Sequence, residues 1–411
     1  MGSGSVIAGR VALALCPDVL ARLARGRTSV VVTGTNGKTT TSHLVAAALG
    51  GRGPGAHNAA GSNMTDGAVA ALIDAPRARL AVLEVDELHL GPVLDAVEPD
   101  VLVLLNLSRD QLDRVSEVRA TAHAIHVLLA RHPETVVVAN ADDPLVVWAA
   151  GAARRAVWVA AGTRWTEDTL ACPACGQGLA RRVVGDEPGP WCCAGCGLCR
   201  PRAAWRWRGD DGGPTVRWGA AAPIELALSL PGRVNLGNAT MALAAAAQIG
   251  TDPATAAPRL ARVGEVAGRY GYLWLQGRRV RTLLVKNPAG WGEALDMLTP
   301  DRPVLIMVNS READGRDVSW LWDLPVGTLA GRAVAAAGDR AADIGVRLSY
   351  ADIAHHTDAD PRTALEGLPP GEVDAVANYT AFLDLRRQLD PRPPRPERAP
   401  DRPPGGVGHG R

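Results

Sequence analysis

The chain is nearly devoid of lysine. Of 44 basic residues in 411, only Lys38 and Lys286 are lysine and the other 42 are arginine. A compact ammonium set against a phosphate is a task that a guanidinium fork fills differently, so both exceptions are expected at phosphate chemistry. Net charge is missing too. The 44 basic residues meet 43 acidic ones, leaving +1 and no global field to draw the chain onto nucleic acid or anionic lipid, so any such partner must bind locally. No run approaches the roughly 20 apolar residues of a membrane span. Arg10 and Asp18 interrupt what would be the core of an export signal, and a cytoplasmic protein is expected. Cysteine is scarce outside one stretch. Six of the seven lie between Cys172 and Cys199, mostly in CxxC spacing, which here reads as metal binding rather than disulfides, while Cys16 reads as a small core residue.

What is present describes a globular chain. Hydrophobic residues make up 47% and charged residues 21%, too apolar for wholesale disorder, and 411 residues predict two or three domains at roughly 150 residues each. Residues 1–27 read as helical. The apolar runs SVVVT (29–33), ARLAVLEV (78–85), PDVLVLLNL (99–107) and ETVVVAN (134–140) are separated by enough chain for helical crossovers, which predicts an α/β fold with a parallel sheet covered on both faces. From 151 to 222 cysteine, glycine, proline and tryptophan dominate and periodicity is lost, as in an insertion. RPRAAWRWR (200–208) alternates with a period of two and reads as a half-exposed ribbon strand. An alanine-rich helix within 230–250 returns to the core. A second α/β unit begins near 275, with strands at RVRTLLV and PVLIMVN and a closing helix at 377–389. The proline- and arginine-rich end, 391–411, is expected to be a disordered tail.

TGTNGKTTT (33–41) stands where a strand ends and a helix begins. Small residues there let backbone N–H groups converge on phosphate oxygens, Lys38 reaches the β- and γ-phosphates, and Thr39 offers a hydroxyl to magnesium. ATP is the expected ligand, held by Thr33, Gly34, Thr35, Asn36, Gly37, Lys38, Thr39 and Thr40. The strict GxxxxGK spacing is not met, because Val32 occupies the position of its first glycine. EVDE (84–87) follows the next strand. It places carboxylates at the carboxyl end of a parallel sheet, so Glu84 is the expected magnesium ligand beside Thr39, while Asp86 and Glu87 read equally well as ligands or as loop acids.

CPACG (172–176) and CAGCG (193–197) are two CxxCG knuckles. Cys172, Cys175, Cys193 and Cys196 can surround zinc tetrahedrally, though Cys192 and Cys199 compete for a place in the set. A closed four-thiolate site has no open position for substrate, so its role is structural.

TGTNGKTTT, EVDE, NLSRDQLDR (106–114), NADDP (140–144), LPGRVNLGNA (230–239) and GRYG (268–271) together resemble the Mur ligase family, in order and across most of the chain. KNPAGWGEAL (286–295), ADGRDVSWLWD (313–323), NYTAFLDLR (378–386) and the cysteine insertion resemble its MurT subgroup. The resemblance implies a central ATP-binding domain over 1–270 carrying a zinc ribbon at about 165–205, followed by a Rossmann-like C-terminal domain over 271–390. It also implies an activity: ATP converts a carboxylate to an acyl phosphate, and an amine displaces phosphate. In the MurT subgroup the acceptor is the D-glutamate α-carboxylate of the lipid II stem peptide at the inner membrane face. The amine is ammonia from a glutamine amidotransferase partner, GatD, and the product is D-isoglutamine. By the same resemblance Asn106, Asp110, Asn238 and Arg269 lie near nucleotide, with Asn140 and Asp142 similarly placed, and Lys286 and Asn287 touch nucleotide or acyl phosphate. Asp314, Asp317 and Asp323 are candidates to orient the incoming amine or support the partner's histidine. One family device is missing. No lysine lies between Lys38 and Lys286, so the carbamylated lysine that bridges a second magnesium in ordinary Mur ligases has no counterpart.

Two other readings share these motifs: a Mur- or folylpolyglutamate-type ligase that adds an amino acid, and a zinc-ribbon ATPase that binds single-stranded nucleic acid through RPRAAWRWR.

Overall fold

The computed structural model describes residues 3–53, 55–109, 118–163, 165–184, 187–210, 213–264 and 270–388. Among these, the strands fall into two large sheets and one small hairpin. The first sheet contains β1 (Thr28–Thr33), β2 (Gly55–His57), β3 (Leu80–Glu84), β4 (Val101–Leu104), β5 (Val136–Asn140) and β6 (Arg155–Ala160), all parallel. The hairpin is β7 (Leu179–Val184) with β8 (Glu187–Cys193). The chain then rejoins the first sheet as β9 (Trp205–Asp210), β10 (Gly213–Trp218) and β11 (Ile224–Glu225), giving the order β11-β10-β9-β6-β5-β4-β1-β3-β2.

β1, β4 and β5 are built on runs of valine and leucine and, apart from half-buried Thr28 at the start of β1, are buried throughout, as strands covered on both faces must be. One apolar layer collects the helices Thr65–Asp74, Leu90–Val97 and Val118–Arg131; the other collects Lys38–Leu49 and Arg233–Gln248. In the latter pair, alanine-rich faces bring the two helices close together. β1 leads toward β2 and β3 on one side and has β4 on the other, so strand order reverses beside it. Such a switch point opens a crevice at the carboxyl ends of the strands.

The second sheet contains β12 (Tyr270–Leu275), β13 (Arg278–Leu284), β14 (Val304–Met307), β15 (Val334–Ala337), β16 (His355–Thr357) and β17 (Val373–Ala377), in the order β12-β13-β17-β14-β15-β16. Apart from β12 it is parallel, with an apolar core on each face. Asp374 anchors it: the carboxylate is fully buried and accepts from Arg281, Arg302 and the Thr299 amide at 2.7–3.0 Å.

Three expectations change. The stretch 151–222 is not one insertion: β6 and β9–β11 are strands of the first sheet, and only the segment between them stands apart. RPRAAWRWR does form a strand, but not in the cysteine hairpin. Trp205 is buried and Trp207 partly buried against the core, so β9 extends the main sheet alongside β6. Cys16 is not a core residue. It lies half-buried in the turn between the helices Ser3–Leu15 and Val19–Ala24, its Sγ 3.0 Å from Asp18 Oδ1. The end of the closing helix beyond 388 and the tail 391–411 lie outside the described residues.

Candidate active site

The loop after β1 owes its shape to two glycines. Gly34 (φ 133°) passes so close to the end of β4 that a Cβ would lie 2.9 Å from the Asn106 carbonyl oxygen, and a Cβ on Gly37 (φ 83°) would lie 3.0 Å from Asn238 Oδ1. Asn106 fastens the loop from β4's side: its Oδ1 accepts from the Asn36 amide and its Nδ2 donates to the Asn36 carbonyl, both at 2.9 Å. Thr35 Oγ1 donates to Glu87 Oε1 at 2.9 Å and accepts from the Ser108 amide at 3.0 Å. Thr33 and Thr40 are buried at the two ends of the turn.

Lys38 and Thr39 open the following helix, and both are buried. Lys38 Nζ lies 2.8 Å from Glu87 Oε2 and 3.5 Å from Asp86 Oδ2, so the ammonium is held between two carboxylates at the mouth of the loop. Asp86 and Glu87, open at the level of sequence, are therefore partners of the lysine. Thr39 Oγ1 donates to Glu84 Oε1 at 3.0 Å. Glu84 is 1% exposed, and its second oxygen, Oε2, is buried with no hydrogen-bond partner. Asn58 clamps the Glu84 backbone from both sides at 2.8 Å, which fixes the carboxylate in place. An unpaired buried carboxylate oxygen is costly. A hard divalent cation beside it and the Thr39 hydroxyl removes that cost, so these residues fit magnesium.

Behind this site, His57 packs edge-on to His43, ring centroids 4.7 Å apart, with its Nε2 3.0 Å from Ser42 Oγ. Burial, helped by His43, lowers its pKa to about 4. The folded value lies below the unfolded one of about 6.5, so the neutral ring stabilises the fold above pH 6.5 and that contribution is lost as pH falls toward 4. Denaturant titration across this range is expected to show a loss of about 2–3 kcal/mol that the variant His57→Gln lacks.

The second sheet meets the loop directly. Asn36 and Asn287 exchange two side-chain hydrogen bonds, at 3.0 and 3.1 Å, and Asn287 also caps the helix Pro288–Asp296. Two adjoining cavities lie at this junction. One runs between Asn106, Asn140, Trp165 and Met241; the other lies between Gly37, Thr40, Tyr270 and Lys286, and Asn36 and Asn238 line both. Asn106, Asn238 and Lys286 line these cavities, Asn287 adjoins them through Asn36, and Lys38, Thr39 and Glu84 stand together at the start of the helix that follows the loop, whereas Asp110 and Arg269 lie outside the described residues. Asn140 lines the first cavity while its Oδ1 accepts the Asp142 amide, and Asp142 pairs with Arg200 at 2.6 Å.

The three C-terminal acids go separate ways. Asp314 is buried and accepts from the amide and hydroxyl of Thr380. Asp317 accepts the Ser319 amide, which holds its pKa below the usual carboxylate range. Asp323 reaches the first sheet's side, 3.2 Å from Arg109 Nη2. Arg109 also grips buried Asp168 at 2.5 Å, and Trp165 Nε1 donates to the same carboxylate. This bridge was hidden in the sequence because its three parts are far apart along the chain. Asp143 was also missed: it caps the helix Pro144–Ala150 and accepts the Leu107 amide, and burial raises its pKa to about 6. The Pro that follows it is the signal that could have marked the cap.

In the cysteine hairpin, Cys172, Cys175, Cys193 and Cys196 bring their sulfurs within 4.8 Å of one another, while Cys192 and Cys199 pair across the strands as a disulfide. Gly176 and Gly197, with φ of 80° and 75°, make the two knuckle turns. The Cys196 and Gly195 amides point at Cys193 Sγ and lower its pKa to about 7, which favours the thiolate a metal requires. The donor set fits zinc in a closed structural site.

Comparisons with known proteins agree with this geometry. Residues 32–165 match the Mur ligase middle domain and residues 284–382 the MurT ligase C-terminal domain. The MurT subunit of the glutamine-hydrolyzing lipid II isoglutaminyl synthase of Staphylococcus aureus strain N315 is 29% identical over 94% of this chain and 93% of its own length. Its counterpart in Streptococcus pneumoniae is 28% identical over 95% and 88%. A UDP-N-acetylmuramate–L-alanine ligase of Kineococcus radiotolerans is 32% identical over 62% of this chain but 46% of its own length. Among solved structures, a pseudomurein peptide ligase type C from Methanothermus fervidus shares the fold with a TM-score of 0.69 at 18% identity, covering 88% of this chain and 78% of its own. With a phosphate loop matched to the middle domain, a second sheet matched to the C-terminal one and similarity running nearly end to end, the chain belongs to the Mur ligase family, in its MurT branch.

Proposed function

We propose that this chain is the ATP-dependent synthetase of lipid II amidation. It converts the D-glutamate α-carboxylate of the stem peptide to the amide of D-isoglutamine with ammonia from a GatD-like glutaminase. The reading rests above all on similarity covering 94–95% of the chain to subunits of that synthase, joined to a crevice built for a triphosphate.

In this reading ATP lies along the loop 34–37 with its phosphates at Lys38. The acceptor carboxylate attacks the γ-phosphorus, ADP leaves and an acyl phosphate forms. Ammonia then attacks the carbonyl carbon, phosphate leaves and the nitrogen loses a proton. Lys38 offsets charge on the transferring group, with phosphate oxygens displacing Glu87 and Asp86 from the ammonium. Magnesium, which Thr39 and Glu84 would hold, supplies further neutralisation of phosphoryl charge. The Asn36–Asn287 pair and the Asp323–Arg109 bridge hold the second sheet over the nucleotide, and Asp323 is the C-terminal acid best placed to meet the incoming amine. A partner is needed because glutamine hydrolysis requires an activated nucleophile. Four cysteines form the metal-type cluster and two pair with each other, which leaves Cys16, bonded to Asp18 in a half-exposed turn. Its pKa is raised, chiefly by that bond, against what a nucleophile needs.

The test is amidation of lipid II by the chain with its co-purified glutaminase, then by the chain alone with ammonium. Amide formation from both sources is expected. ATP-dependent incorporation of an amino acid, without use of ammonium, would replace this reading with that of an amino-acid-adding ligase.

A further inference from the structure

β9 and β10 carry two different faces. Trp205, Trp207, Val216 and Trp218 belong to the core side, whereas Arg206, Arg208 and Arg217 are exposed on the other. On that second face the helical layer stops at β6, and no residue of β9–β11 joins its apolar cluster. Arg206 stands directly opposite Arg217 in the antiparallel register, and Arg208 follows two positions on, opposite Thr215. Like charges so placed bring side chains to about 5 Å and repel. Among the described residues none of the three arginines pairs with a carboxylate; one acid on this face, Glu225, is exposed opposite Thr215 on β11. A chain with 44 bases and 43 acids has the means to neutralise such a pair, yet among the described residues it does not.

The hairpin's position gives this charge a use. β9 pairs with the last residues of β6, Trp205 with Val159 and Arg206 with Ala160, so it continues past the carboxyl edge of the sheet. Trp207 Nε1 donates to the Ala161 carbonyl at 3.0 Å, and Ala161 and Gly162 line the nucleotide crevice. β9 therefore projects past the carboxyl edge of the sheet next to the crevice, its tryptophan face toward the core and its arginines on the reverse, solvent-exposed face. We propose that Arg206, Arg208 and Arg217 form a phosphate-binding face that seats the phosphates of a lipid-linked acceptor while its peptide enters the crevice. The proposal rests on the lipid II reading, since that acceptor carries a diphosphate between sugar and lipid. Guanidinium groups in a row on a rigid sheet suit the two phosphates of such a group.

The test uses the full chain and the triple variant R206Q/R208Q/R217Q, with R206K/R208K/R217K as the charge-conserving control. Inorganic pyrophosphate is titrated calorimetrically with the nucleotide site saturated by a non-hydrolysable ATP analogue, so that only binding outside the loop is read. The glutamine variant is expected to weaken pyrophosphate binding by about tenfold or more and to raise the KM for lipid II in detergent micelles similarly, with the KM for ATP unchanged, while the lysine variant keeps much of both. A loss confined to co-sedimentation with phosphatidylglycerol vesicles would place the phosphates in the bilayer instead of the acceptor. Equal binding of pyrophosphate and vesicles by parent and variant would overturn the proposal. The titration needs no turnover, so a chain that bound pyrophosphate through these arginines yet amidated nothing would refute the proposed activity and leave the site standing.

Discussion

Lys38→Ala is expected to lower ATP-dependent amidation by about three orders of magnitude, with glutamine or ammonium alike, while zinc content stays that of the parent. The size follows from what surrounds the ammonium. Nζ sits 2.8 Å from Glu87 and 3.5 Å from Asp86, and its side chain is 7% exposed. Without it, two carboxylates face the place assigned to the phosphates, so the variant both loses a cation and gains repulsion. Adding Glu87→Gln to Lys38→Ala should therefore restore part of the nucleotide affinity, seen by calorimetry, without restoring turnover. Lys38→Arg should not rescue either, since the buried position leaves little room for a planar fork. Parent-level amidation by Lys38→Ala would show that this loop is not the ATP site.

The scarcity of lysine made Lys38 conspicuous in the sequence, and the valine runs of β1, β4 and β5 were legible because strands buried on both faces have no other composition. The core of the first sheet could thus be read directly. β2 could not: it is three residues long, too short for any period, and it is a strand only because β3 lies beside it. β9 was read correctly as alternating but joined to the wrong neighbour, because alternation reports that one face is buried and says nothing about which sheet buries it. At the site, the loop and Glu84 were within reach since motif and strand end coincide. The pairing of Asn36 with Asn287 links positions 251 residues apart. The Arg109 bridge joins Asp168 and Asp323 in the same way. Such contacts come from packing two sheets together and leave no local trace. The C-terminal acids, Asp314, Asp317 and Asp323, are three separate candidates in the sequence, and nothing local tells them apart. A turn and a short 3₁₀ helix point them at Thr380, Ser319 and Arg109.

Glu84→Gln separates charge from shape at the same crevice. The amide is isosteric, and its oxygen can still accept from the Thr39 hydroxyl where Oε1 does now at 3.0 Å. What disappears is the negative charge and the capacity of the buried, unpartnered Oε2 to meet a cation. Turnover is expected to fall by about a hundredfold at ordinary magnesium, and the concentration needed for half-maximal rate should rise by about tenfold. Stability should move the other way. Taking a poorly compensated charge out of a site 1% exposed removes a desolvation cost, so the melting temperature of the magnesium-free variant should equal or exceed that of the parent. This opposition distinguishes a metal-binding carboxylate from a merely structural one, whose replacement would lower both. A magnesium titration of amidation, beside thermal melts in EDTA, reads the two together: an unchanged magnesium requirement with a lowered melting temperature would assign Glu84 to the fold alone.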